Sequence, residues 1–191
     1  MKVVGFNGSP RKDGNTSIAI KTVFNELKKE GIETELIHIG KNPVYGCNAC
    51  GVCLKNKDGF CTIDSDIIND CLKKMYESEG IIIGSPVYFG SVTPQVKAFI
   101  DRVGYCAGSG GYLLKRKVCA GVVAVRRQGV LQTLYQIYNL FFLSQAILPT
   151  STYWNMGMGR EKGEIKKDTE GIKTFKTLGK NMAWLLKKIN S

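Results

Sequence analysis

The chain has 191 residues, 43% hydrophobic and 23% charged, with a formal net charge of +11. These values exclude a disordered chain, which would be poorer in apolar residues, and a scaffold too small to hold a core without disulfide staples. No apolar run approaches the roughly 20 residues that a bilayer requires, and the opening MKVVGFNGSP reads as a strand rather than a secretory signal, so no membrane partner and a cytoplasmic location are expected.

The length suits a single domain over residues 1–191 with one inserted excursion. Met1–Phe6 is a short apolar run that ends in the turn signal Asn7-Gly8-Ser9-Pro10. The segment Gly8–Ser17 (GSPRKDGNTS) then leads into a helix over Thr16–Glu30. It has the parts that an anion needs. Gly8 and Gly14 allow sharp turns and close approach. Ser9, Asn15, Thr16 and Ser17 carry side-chain donors, and Arg11 adds charge. The helix start adds free N–H groups and the positive end of its dipole. The segment lacks GxxxxGK[ST] and GxGxxG, which argues against a nucleotidase or dinucleotide loop. The alternative is a plain βα turn capped by Asn15 or Thr16. Its position after the first strand favours monophosphate binding.

Ile32–Ile39 alternates as a mixed-face strand near a sheet edge, and it carries His38, the only histidine, in a structural role. Gly40–Thr62 breaks the α/β rhythm and holds four of the seven cysteines, Cys47, Cys50, Cys53 and Cys61. Three thiols at a spacing of three, with a fourth nearby, suit a [4Fe–4S] cluster. Zinc, or free or catalytic thiols, are the alternatives, although a structural zinc site more often pairs two CxxC knuckles across a longer spacer. Cys71, Cys106 and Cys119 lie apart and read as small buried hydrophobes.

Asp64–Glu79 is the next helix, and Gly80–Gly84 (GIIIG) is a strand buried on both faces. A helix over Val92–Val103 tolerates Pro94 in its first turn. Lys117–Val125 is a strand, Gly129–Ile147 a helix, Leu148–Tyr153 a fifth strand and Asp168–Ile189 the last helix. This alternation predicts the α/β class, with a doubly wound five-stranded parallel sheet and helices on both faces. Ligands in such folds bind beyond the carboxyl ends of the strands, here at the loops Asn7–Asn15, Ser85–Ser91 and Arg126–Gly129. The lysines are dispersed, with no basic stripe interleaved with aromatics. No nucleic-acid partner is therefore expected, and the charge suits an acidic partner or an anionic cofactor.

GSPRKDGNTS, the CxxCxxCx7C run, GSPVYFG at Gly84–Gly90, PQVKAFIDR at Pro94–Arg102, Arg126–Arg127 and Trp154–Gly157 together resemble the iron–sulfur flavoprotein family. That family is a branch of the NAD(P)H-dependent FMN reductase and flavodoxin-like superfamily, and the resemblance spans nearly the whole chain. It implies a flavodoxin-like fold that binds FMN. Ser9, Arg11, Asn15, Thr16 and Ser17 would hold the phosphate. Pro86, Val87, Tyr88, Phe89 and Gly90 would line the isoalloxazine ring, with Tyr88 and Phe89 stacking on it unless they merely form a core edge. Arg126, Arg127 and Gly129 would sit at the third loop, where Gln128–Gln132 departs from the family's glycine-rich pattern. Cys47, Cys50, Cys53 and Cys61 would hold the cluster. The resemblance further implies a homodimer or homotetramer with the flavin at a subunit interface. The implied activity is flavin-dependent electron transfer with no catalytic side chain. Electrons would come from ferredoxin or a similar acidic carrier and go to a small-molecule acceptor. The rivals are an NAD(P)H-dependent FMN or quinone reductase without a functional cluster, and a redox-sensing binding module.

Overall fold

The computed structural model describes residues 1–190. Its elements, in chain order, are β1 (Lys2–Asn7), α1 (Asn15–Lys29), β2 (Glu33–His38), α2 (Val52–Asn56), α3 (Ile68–Tyr76), β3 (Gly80–Pro86), α4 (Pro94–Ser109), β4 (Val118–Val125), α5 (Val130–Leu143), β5 (Met156–Met158), a 3₁₀ turn (Glu164–Lys167) and α6 (Thr169–Ile189). The strands form one sheet in the order β2-β1-β3-β4-β5, parallel throughout. The chain winds outward from β1 to β2, then crosses to β3 on the other side. The switch point therefore lies between β1 and β3, the arrangement of flavodoxin-like sheets.

The period-two alternation of the strands feeds two cores. Val4, Phe6, Ile81, Ile83, Cys119, Val123 and Val125 face α3, α4 and α5. Val3, Ile82, Ala120, Val122 and Ala124 face α1 and α6. Each fully buried aliphatic or aromatic side chain contributes about 1.5–3 kcal/mol, so both faces of β3 and β4 add stability. Helix α1 comes down hard on the sheet at Gly84, where a Cβ would stand 2.9 Å from the Thr16 methyl. That contact sets the helix start directly over the switch point.

Most expected elements are present, but the helix expected over Asp64–Glu79 is the shorter Ile68–Tyr76, the excursion holds a short helix at Val52–Asn56, and three more elements differ. The fifth strand is Met156–Met158, not Leu148–Tyr153. Of that neighbourhood only Ile147 touches the sheet, through an isolated bridge to Val118. The helix after β4 stops at Leu143, because Ser144–Ala146 turns back and Ile147 N donates to Lys117 O at 2.9 Å. Helix α4 runs on past Val103 to Ser109. Its N-cap Thr93 accepts from Val96 N at 3.4 Å while its own hydroxyl donates to Gly8 O at 2.9 Å. One residue thus starts the helix and ties it to the loop after β1. As expected, β2 is an edge strand.

Candidate functional site

A cleft of about 210 Å³ opens at the carboxyl ends of the strands, lined from four successive loops. Ser9, Arg11, Asn15 and Thr16 come from the loop after β1, and Pro86, Val87 and Tyr88 from the loop after β3. Ala124 and Arg126 come from the end of β4, and Gly159 and Arg160 from beyond β5. Arg11, Arg126 and Arg160 line it and no carboxylate does, with Arg160 also pairing with Glu161, outside the lining, at 3.4 Å. Such a wall favours an anion.

The floor is the start of α1. Its N-cap is Gly14, in extended conformation, with no side-chain cap. The first-turn N–H groups have no intrahelical partner and remain available to an anion. Ser17 is 1% exposed, and its hydroxyl has no hydrogen-bond partner. Ser17 is not among the residues lining the cleft. It sits behind them in the first turn of α1, and a phosphate seated on that turn would remove the cost of about 1–3 kcal/mol that an unmatched buried hydroxyl carries. A phosphate monoester therefore fits this cradle.

Asn15 does something else. Its Nδ2 donates to Gly159 O at 3.1 Å and Glu161 O at 3.0 Å, and its Oδ1 accepts from Gly163 N at 2.9 Å and Ile165 N at 3.5 Å. The amide is spent on bringing the post-β5 loop, and Arg160 with it, into the cleft wall. Asn15 can meet an anion through its backbone N–H. The loop after β1 is also held from behind. His38 Nε2 donates to Ser9 O at 2.6 Å, which places the proton on Nε2. Gly40 lies so close that a Cβ there would stand 2.2 Å from Ser9 O. Asn7 closes the loop, with Oδ1 accepting from Ser9 N at 3.1 Å and Nδ2 donating to Lys12 O at 3.0 Å.

The loop after β3 is a tight hairpin. Tyr88 and Ser91 exchange N–H···O bonds of 2.9 Å. Phe89 and Gly90 both have positive φ, 48° and 75°, as a type I′ turn requires. This splits the expected ring-lining set. Pro86, Val87 and Tyr88 line the cleft, whereas Gly90 does not, and Phe89 stands at the tip, 109% exposed. Arg127 is exposed outside the cleft lining. Gly129 lies under the hairpin, where a Cβ would meet Val87 at 2.8 Å, so it supports the loop. Ala124, Gly159 and Arg160 were missed. Their signal was position at a strand's carboxyl end, concealed for Gly159 and Arg160 by the misplaced fifth strand.

The cysteine excursion encloses a second cavity, of about 150 Å³, lined by Cys47, Cys50, Cys53 and Cys61 together with Arg102, Tyr105 and Cys106 from α4. Cys47 and Cys50 are exposed, while Cys53 and Cys61 are partly covered. Positive φ at Ala49 and Gly51 lets the chain wrap before α2 begins. Cys61 is fixed on two sides by Asn69, which accepts from Cys61 N at 2.9 Å and donates to Cys61 O at 2.8 Å. Among the described residues no three such groups converge to hold a single metal ion. The four thiols surround a space instead. The donor set, four soft thiols around one cavity, has the chemistry that an iron–sulfur cluster takes.

Cys71 and Cys119 are buried and do not line this cavity, and burial pushes the Cys71 thiol up to about 12. Cys106 is buried as expected, but it does not lie apart from the cysteine run. It lines the cysteine cavity one helical turn after Arg102. Burial, and then the nearby sulfurs of Cys61 and Cys53, push its thiol up and keep it protonated.

A family model described as NADPH-dependent FMN reductase matches residues 1–161. The chain is 40% identical over 200 residues to an iron–sulfur flavoprotein of Methanocaldococcus jannaschii, covering 99% of each. The fold is similar to that of RosB with bound 8-demethyl-8-formylriboflavin-5′-phosphate, with a TM-score of 0.77 at 17% identity over 100% of this chain and 80% of that one. It is also similar to a WrbA-like flavodoxin from Agrobacterium tumefaciens, with a TM-score of 0.66 at 17% identity over 98% and 97%. At such identities these two structures speak for the fold.

Proposed function

The chain belongs to the NADPH-dependent FMN reductase family, among the iron–sulfur flavoproteins, and from that premise we propose that it couples a [4Fe–4S] cluster on Cys47, Cys50, Cys53 and Cys61 to FMN in the β1/β3 cleft. It is a flavin-dependent oxidoreductase that uses FMN. The observation that carries the coupling is that all four thiols of the CxxCxxCx7C run line one cavity, in a chain whose other cleft fits a flavin phosphate.

When bound, FMN exchanges electrons singly or in pairs and a cluster exchanges them singly, so together they join one-electron carriers to two-electron acceptors. This chain's residues do the rest. The α1 start and the Ser17 hydroxyl meet the phosphate, and Arg11, Arg126 and Arg160 neutralise it. Pro86, Val87 and Tyr88 form the wall for the ring. Cys47 and Cys50 leave one edge of the thiol cavity open to solvent, where a carrier can approach. A net charge of +11 suits an acidic carrier such as a ferredoxin, because complementary charge speeds encounter. The acceptor is a small molecule.

The test is anaerobic reduction of the bound flavin by reduced ferredoxin and, separately, by NADPH, in wild type and Cys50→Ser. The proposal expects ferredoxin to bleach the wild-type flavin and to fail with Cys50→Ser. Equal rates in both proteins would take the cysteines off the electron path. Fast bleaching by NADPH alone would favour a plain hydride-accepting reductase.

A further inference from the structure

Helix α4 sends one guanidinium into the cysteine excursion. Arg102 is 1% exposed. Its Nε donates to Cys61 Sγ at 3.3 Å. Three of the four remaining N–H groups are committed: Nη1 to the Asp66 carboxylate and to Tyr45 O at 3.3 Å, and Nη2 to Ile63 O at 2.7 Å. Asp66 also accepts from Tyr45 N at 2.9 Å. The donor cannot swing away, and its target cannot either, since Asn69 holds the Cys61 backbone. A buried ion pair also needs its remaining N–H groups satisfied, and backbone oxygens would do that without involving a thiol. Here the guanidinium is oriented so that its fourth contact is a sulfur, and it is the one arginine lining that cavity.

We propose that Arg102 is the positioning residue that sets the reduction potential of the metal centre held by Cys61. The inference rests on the reading that these cysteines carry a cluster. An N–H donor draws negative charge from a ligand sulfur. It thereby stabilises the form carrying the extra electron, and hydrogen bonds to the sulfurs are one of the protein's main means of tuning such centres. Burial strengthens the effect, because little water screens it. Arg102 thus raises the potential, making the centre easier to reduce by a one-electron carrier.

The first experiment uses wild-type holoprotein labelled with 15N-arginine, reduced anaerobically and examined by pulsed EPR. A 15N coupling to the reduced centre is expected, and its absence overturns the proposal. The second is an EPR-monitored redox titration of Arg102→Lys, which keeps a cation beside Asp66 but loses the fixed donor at sulfur. With iron, sulfide, FMN and circular dichroism at wild-type levels, the potential should shift to a more negative value. An unchanged potential would make Arg102 merely structural and overturn the proposal. If Arg102→Lys fails to fold or to hold its centre, the double variant Arg102→Gln/Asp66→Asn takes its place in the titration, and the labelling result stands without either variant. Wild type that carries no iron or sulfide sinks the reading of the previous subsection instead. Wild type with its centre but no arginine coupling sinks only this one.

Discussion

Ser17 and Asn15 sit two positions apart at the start of α1 and serve different ends. In the sequence they look alike, as small polar residues in a phosphate-type loop. Only the fold shows that the Asn15 amide is consumed by the loop after β5 while the Ser17 hydroxyl is left unmatched. Ser17→Ala should therefore separate two properties. A hydrogen bond to a charged group is worth about 1.5–3 kcal/mol, so FMN should bind about tenfold to a hundredfold more weakly. The thermal midpoint of the FMN-free protein should not fall, since an unmatched buried group has been removed. Flavin fluorescence titration and calorimetry read the two. A loss of apo-protein stability with unchanged FMN affinity would show that Ser17 serves packing alone.

Among the elements, the hairpin after β3 and the edge strand β2 carry further predictions. Phe89 occupies a left-handed position at the hairpin tip with its side chain in solvent. Asn tolerates that conformation better than Phe, so Phe89→Asn should keep FMN affinity within about twofold. A large loss would put Phe89 on the ring after all. Strand β2 is fastened by Glu35, which bonds Lys2 at 2.5 Å and Lys74 at 3.2 Å. Lys2 foremost, opposed by burial and helped by Lys74, holds the Glu35 carboxyl below its ordinary value of 4.5. A depressed carboxylate stabilises the fold above its unfolded pKa and loses that contribution as pH falls through the folded one. The gap in thermal midpoint between wild type and Glu35→Gln should thus be open at neutral pH and close below pH 4.5. A gap independent of pH would assign the difference to packing.

Legibility in the sequence also divides by element. Strands β1, β3 and β4 were readable because burial on both faces leaves continuous apolar runs between glycines. β5 was not. It is three residues long, pairs on one side only, and follows Leu148–Tyr153, whose two threonines and tyrosine have strand propensity but which the chain uses as a loop. That error hid Gly159 and Arg160. Cys106 escaped for another reason, since helical spacing gives a residue's neighbours on its own helix and says nothing of which loop will cover it. The phosphate loop and the cysteine run were legible because each is contiguous, whereas the clamps on them, His38 on Ser9 and Arg102 on Cys61, are 29 and 41 residues apart in sequence.

Across the whole molecule, one sheet serves two sites. Its carboxyl edge builds an arginine-lined cleft from four loops. Helix α4 reaches from that edge, where Thr93 bonds Gly8, to the cysteine cavity, where Arg102 and Cys106 form the wall. The helix links the arginine-lined cleft to the thiol-lined cavity, and on the proposed reading the dispersed positive charge suits an acidic carrier. This account stands on both centres residing in the same chain. The most direct measurement is the iron, acid-labile sulfide and FMN content of anaerobically purified protein, for wild type and for Cys50→Ser. Wild type is expected to hold about four iron and four sulfide per chain, as a single cluster requires, together with FMN, and Cys50→Ser to lose the iron and keep FMN. FMN without iron or sulfide in wild type, or iron unaffected by Cys50→Ser, would contradict this account.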